Sequence, residues 1–288
     1  MTAGDGGREH LKRAVVVVSL VGGILLFLWW ALIPLFNFAV AAAAVLATQE
    51  LYAMFGVAQR DRVMHAIGLA AAAGLVLQMA LLPAATLAIS IPLFIMIILS
   101  VLAFRTKGPS GKELETALIV IFGALYIPIM LGQVIYIRAS EHGREWVAIV
   151  VVAIFTREIS AHFAGKLFRR GKPLNVNINE HKSYVGAGIG AALASAVALL
   201  VSRYLIVGIT AIQALVFGAC LGIACQLGDF SESYLKRVTG FRHSGKLLGP
   251  EGGVLDFVDA ASFAIVTARL LMLVWEFQSA GAAGRGAS

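Results

Sequence analysis

The chain has 288 residues, 59% of them hydrophobic and only 14% charged, with a mean hydropathy of +0.87. That is too little polar surface for a soluble domain of this size, so the composition excludes a water-soluble globular protein and points to an integral membrane one. The formal charge of +7 follows the basic loops between apolar segments and calls for no nucleic-acid partner.

A membrane-crossing helix takes about 20 mostly apolar residues to cover roughly 30 Å of hydrocarbon, and only helices or closed barrels satisfy their backbone there. Long apolar runs lie at 14–33, 36–56, 64–82, 86–104, 115–137, 146–165, 184–202, 208–228 and 260–277. They predict an all-α, polytopic helical membrane bundle of about nine transmembrane helices. The first run follows Lys12 and Arg13 as a signal peptide would. It is too long for one and lacks a small-x-small cleavage site, so it reads as a retained anchor behind a short segment, 1–13. The second run is rich in Ala and ends in Glu50 and Tyr52; the last contains Arg269. Pro34, Pro83 and the stretch "TKGPSGK" fall between spans, where a helix must stop. The spans of 14–138 form an N-terminal membrane half, those of 139–278 a C-terminal half, and "SAGAAGRGAS", 279–288, is expected to be a disordered tail.

Lys and Arg stay on the cytoplasmic side of a membrane. Most of the 23 basic residues fall in the N-terminal segment and the alternate loops 57–63, 105–114, 166–183 and 229–259. The expected orientation is therefore N-terminus cytoplasmic, in the cell (inner) membrane, with anionic membrane lipids or an anionic substrate facing those loops. A homodimer is compatible with the pattern.

Familiar soluble chemistries are missing. Cys220 and Cys225 lie five apart in one apolar span and do not face each other, the six His residues form no zinc spacing, and neither a phosphate-binding loop of the Walker type nor a nucleophile elbow occurs.

Three polar places stand out, all on the expected cytoplasmic side of the second half. In "TREISAHFAGKLFRR", Arg157, Glu158 and His162 lie inside a span, and Glu158 and His162 share a helix face. Arg157 reads as a structural partner or a snorkelling side chain, Glu158 as a functional group. In "GKPLNVNINEHKSYVGAG", Lys182 and Ser183 open the next span ahead of Gly186, Gly188 and Gly190. A cation and a hydroxyl at a helix N-terminus suit a phosphate, and equally a basic membrane flank. The third place is "GDFSESYLKRVTGFRHSGKLLGPEGGVLDFVDA". If span eight continues as a helix, Asp229, Ser233 and Lys236 or Arg237 share a face, with Glu232 beside Lys236. After the Gly252-Gly253 turn, Asp256 and Asp259 stand one above the other. Three carboxylates brought together repel unless a cation sits among them, and Mg²⁺ prefers such oxygens together with substrate phosphates.

The third stretch resembles the signature of the phosphatidate cytidylyltransferase family, membrane enzymes that make CDP-diacylglycerol from CTP and phosphatidate. "SYLKR" supplies Ser233, Lys236 and Arg237, and "GGVLDFVD" supplies Gly252, Gly253, Asp256 and Asp259. "AHFAGKLF" and "INEHKSYVG" are similar to two further segments of the family, the latter placing Lys182, Ser183 and Gly186 in register. The resemblance runs from residue 126 to 262, about half the chain.

It implies cytidylyl transfer from CTP to phosphatidate, with Mg²⁺ on Asp229, Asp256 and Asp259. Lys236 and Arg237 would be catalytic cations, and Lys182, Ser183, Ser233, Gly252, Gly253 and Glu158 would line the substrates. The chain departs from the pattern where the family keeps a Lys-Asp pair (here Arg242-His243), a histidine (Glu251) and an arginine (Phe257). Those departures keep two alternatives open: a CTP-dependent kinase of the polyprenol type or a cytidylyltransferase for another lipid phosphate, and a membrane protein that has lost catalysis.

Overall fold

The computed structural model describes residues 19, 21–105, 108, 110–167, 172–205, 208–245 and 252–285. Among them are eight helices long and apolar enough to cross a membrane. The helices are α2 (Ile33–Met54), α4 (Arg62–Leu81), α5 (Leu87–Arg105), α6 (Gly111–Ala139), α7 (Gly143–Leu167), α8 (Tyr184–Leu205), α9 (Ala211–Thr239) and α10 (Val254–Arg285). Of the first of the nine expected spans, residue 19 and the residues from 21 on are described, the latter opening with the short helix α1 (Val21–Trp30). A four-residue helix, α3 (Val57–Arg60), follows α2, and a 3₁₀ turn (Ala84–Thr86) precedes α5.

Two groups of helices make the bundle. In the first, α2, α4 and α6 pack together with α5 at the edge; in the second, α7, α8, α9 and α10 pack in sequence, and α10 also lies against α2 and α6. The edge position of α5 follows from its side chains. Its mean hydropathy of 2.8 is the highest of the eight spans and it buries only Phe94 and Ile98, so most of its apolar surface is left for lipid.

The second group is held at close range by small residues. The buried face of α8 is Gly186, Gly190, Ala194, Ala198 and Ser202, spaced four apart. Such a stripe lets backbones approach and gains van der Waals contact where no hydrophobic force acts between helices. Its counterpart on α9 is equally tight: a Cβ on Gly218 would stand 2.5 Å from the Ala194 carbonyl oxygen.

Three expectations change. The loop after α7 contains an antiparallel hairpin, β1 (Pro173–Asn175) and β2 (Asn179–Ser183). Its few residues show no alternation that would have marked it as strand. Pro34 lies in the first turn of α2, where its missing N–H is no loss. The last span starts at Val254 and runs on to Arg285, so the helix extends into the tail expected to be disordered, over 279–285, where Ala280, Ala282 and Ala283 favour helix and Gly281 and Gly284 do not. Residues 286–288 lie outside the described residues.

Candidate active site at one end of the bundle

Span eight does continue as a helix: α9 extends to Thr239 and stops at Gly240, which adopts a left-handed φ of 76°. Asp229, Ser233, Lys236 and Arg237 are thereby carried on one rigid rod. Gly228 then decides how close the last helix comes. A Cβ there would stand 2.7 Å from the Asp259 carbonyl oxygen and 2.9 Å from Ala260 Cα. Because the position is glycine, α9 and α10 cross in contact, bringing Asp229 and Asp259 within electrostatic reach of each other.

Two ion-pair systems follow. In the first, Asp229 Oδ2 accepts from Arg157 Nη1 of α7 at 2.6 Å and is also paired with Lys182 of β2. The other arm of Arg157 donates to Gln226 Oε1 at 2.5 Å. In the second, Lys236 bridges Glu232, at 2.6 Å on its own helix, and Asp256 at the start of α10. Asp256 also accepts from the backbone N–H of Gly253, at 2.8 Å, and of Ser244, at 3.2 Å. Gly252 makes the turn with a φ of 114°, and a Cβ on it would strike the Asp256 carboxylate.

The remaining predicted residues are used in distinct ways. Ser183 Oγ accepts from Gly186 N–H at 3.1 Å and so caps α8. Ser233 Oγ accepts from Asn179 Nδ2 at 3.4 Å, and Arg237 Nε donates to the Ile178 carbonyl at 3.1 Å. These two hold the hairpin that carries Lys182 against α9. Glu158 is exposed on α7, beside Arg157.

The departures from the family signature find places too. Phe257 packs its ring at 5.9 Å from that of Phe155 on α7, an apolar contact in place of a guanidinium. His243 is exposed, with Nδ1 3.8 Å from Asp256 Oδ2. Glu251 lies outside the described residues.

Sequence reasoning missed Glu50 and Ser244 and left Arg157 in a structural role. For Glu50 the signal was its solitude as the one charged residue in an Ala-rich apolar run.

Asp259 is 3% exposed, and its Oδ2 has no hydrogen-bond partner among the described residues. Tyr126 Oη, Gln226 Nε2 and Ser262 Oγ are buried and unpartnered in the same sense. Buried polar atoms ordinarily find a protein group, water or ion. An all-carboxylate set with one orphaned oxygen has the donor chemistry for a hard cation such as Mg²⁺. The lysine ammonium groups now hold Asp229 and Asp256, and among the described residues no three His, Cys, Asp or Glu side chains are gathered closely enough to hold a metal ion. A metal would have to displace those ammonium groups.

Comparison with known proteins gives the family. The model of the cytidylyltransferase family matches residues 11–275. Curated relatives include a phosphatidate cytidylyltransferase of Helicobacter pylori, 36% identical over 131 residues, covering 46% of this chain and 47% of the relative. One from Brucella abortus is 32% identical over 152 residues, 53% of this chain and 52% of the relative. One from Mycobacterium tuberculosis is 25% identical over 162 residues, 56% of this chain and 49% of the relative. The matches thus span about half the length of these relatives. The family model covers nearly the whole chain, both helix groups included, and the chain belongs to the cytidylyltransferase family.

Proposed function

We propose that the protein transfers the cytidylyl group of CTP to phosphatidate, releasing pyrophosphate and forming CDP-diacylglycerol for phospholipid synthesis. The observation that carries this reading is the pairing of Asp229 with Arg157 and Lys182, and of Glu232 and Asp256 with Lys236, at one end of a membrane bundle. There a soluble triphosphate can meet a lipid headgroup.

In the reaction, an oxygen of the phosphatidate phosphate forms a bond to the α-phosphorus of CTP, and the bond from that phosphorus to the bridging oxygen breaks, with the electron pair leaving on pyrophosphate. No covalent protein intermediate is needed, so the protein's work is positioning and charge neutralisation. Lys182 and Lys236 exchange their carboxylate partners for phosphate oxygens, and Arg237 adds charge at the rim. Once Lys182 and Lys236 have left them, Asp229, Asp256 and Asp259 are the carboxylates that would hold Mg²⁺, and the ion would supply charge stabilisation to the phosphates. Arg157 stays buried and keeps Asp229 oriented.

The same reading places loops 57–63, 105–114, 166–183 and 229–259 in the cytoplasm, with the N-terminus. The contacts of Arg60 with Glu115 and of Arg105 with Asp61 join loops 57–63 and 105–114, that of Arg237 with Ile178 joins 166–183 to 229–259, and Glu50, near the end of α2, meets Ser244 and Leu255, which supports one common end. Arg242→Cys in a variant lacking Cys220 and Cys225 is expected to resist an impermeant thiol reagent applied from the periplasm; labelling from that side overturns the orientation. For the activity, purified protein given CTP, Mg²⁺ and phosphatidate should form CDP-lipid, and chelation should abolish it. Phosphorylation of a polyprenol with release of CDP would establish the kinase instead.

A further inference from the structure

Glu50 lies in the N-terminal half, outside the stretch that resembles the signature, yet it is built into the turn that begins the last helix. The first N–H groups of a helix lack intrahelical partners. On α10 one of them, Leu255 N–H, donates to Glu50 Oε2 at 2.8 Å, across 205 residues of sequence. Ser244 Oγ donates to the same oxygen at 3.0 Å. Gly245 and Gly253 leave room for the carboxylate: a Cβ on either would come within 2.2 Å of one of its oxygens. The negative charge also complements the positive end of the helix dipole.

Glu50 is itself firmly held. Two residues further along α2, the fully buried Tyr52 donates its hydroxyl to the Val120 carbonyl of α6 at 2.6 Å. On the other side, Ser244 passes the constraint to a site carboxylate. Its N–H donates to Asp256 at 3.2 Å, and the Asp256 N–H donates back to Ser244 Oγ at 3.3 Å.

We propose that Glu50 is a positioning residue: through Ser244 and the first turn of α10 it holds the Asp256 carboxylate against Lys236, the cation that turns to the nucleotide phosphates. This rests on the reading of the site as a cytidylyl-transfer site. The N-terminal helices are then a working part of the site and more than a membrane anchor.

Glu50→Gln keeps a carbonyl oxygen able to accept from both Leu255 N–H and Ser244 Oγ, whereas Glu50→Ala removes it. The full chain and both variants are compared by hydrogen–deuterium exchange over residues 240–257 and by CDP-lipid formation at varied CTP. Glu50→Ala should speed exchange in that segment while leaving α7 and α8 as they were. It should lower kcat/KM for CTP by more than about tenfold, or about 1.4 kcal/mol, with KM for phosphatidate little changed. Glu50→Gln should stay within about threefold of the parent. Unchanged exchange in Glu50→Ala, a Gln variant as impaired as the Ala variant, or a loss explained wholly by a smaller folded fraction overturns the proposal. If the parent chain forms no CDP-lipid, the cytidylyl reading fails and the exchange result alone decides whether Glu50 orders this segment.

Discussion

In the N-terminal half Arg60 pairs with Glu115 at 2.8 Å while 43% and 58% of their side chains stay exposed; in the C-terminal half Arg157 pairs with Asp229 at 2.6 Å with only 3% and 17% exposed. Residue types and distances are alike, but the energetic settings are not. An exposed pair is screened by water and salt and contributes little, about 0–1 kcal/mol. A buried pair forfeits hydration, and replacing it with apolar side chains is often neutral or stabilising. Fold stability alone therefore gives no reason to keep the network of Arg157, Asp229, Lys182, Lys236, Glu232 and Asp256. The proposed cytidylyl transfer does give one, because charges held in a poorly hydrated site act strongly on a phosphate.

The comparison is broken most directly by removing one partner of the buried pair. Arg157→Met leaves Asp229 with Lys182 alone and strands Gln226, and should destabilise the protein by about 3–5 kcal/mol, read as denaturant unfolding in micelles. The double variant Arg157→Met with Asp229→Asn should recover part of that loss while remaining inactive. Equal stability of Arg157→Met and the parent chain would mean that the pair is far better hydrated than its burial implies.

Next in size come Asp256→Asn and Asp259→Asn, which keep volume and remove charge. Each should lower CDP-lipid formation by more than about tenfold, since charge stabilisation by a bound cation amounts to several kcal/mol. Unchanged turnover in both variants would remove the carboxylates from the mechanism.

How much of this could be read in the sequence depends on range along the chain. The helices were legible because apolar length is a local property, and so was the Glu232 to Lys236 pair, an i, i+4 contact confirmed at 2.6 Å. The face of Asp229, Ser233 and Lys236 or Arg237 was expected on condition that span eight continue as a helix, and α9 does continue to Thr239. Which of these residues would meet a partner was not legible. Ser233 and Arg237 hold a hairpin that local pattern does not reveal, and Asp229 is paired with Arg157, 72 residues away. Glu50 shows the limit most clearly, because its partners at 244 and 255 are set by how two helix groups dock, and no local period encodes that docking.

The smallest effect belongs to the exposed cluster, where Asp61 tests the comparison from the other side. Its carboxylate accepts from Val63 N–H at 2.8 Å and Met64 N–H at 3.1 Å, capping α4, and pairs with Arg105 at 2.9 Å. Partial desolvation works to raise its pKa, but the Met64 and Val63 N–H groups and the Arg105 guanidinium outweigh this and hold it below the usual carboxylate range. A carboxylate depressed in the folded state adds stability above its unfolded pKa of about 3.9, and that increment is lost as pH falls through the lower folded value. Asp61→Asn retains an acceptor for the cap and removes only the charge. At neutral pH it should cost under about 1 kcal/mol. The difference should shrink in 1 M salt and vanish as pH falls through the lowered folded value and the parent carboxylate is itself protonated. An Arg60 and Glu115 double-mutant cycle should give a coupling just as small and just as sensitive to salt. A coupling above about 2 kcal/mol that ignores salt would place this cluster in the same class as Arg157 and Asp229, and the contrast between the two halves of the bundle would have to be abandoned.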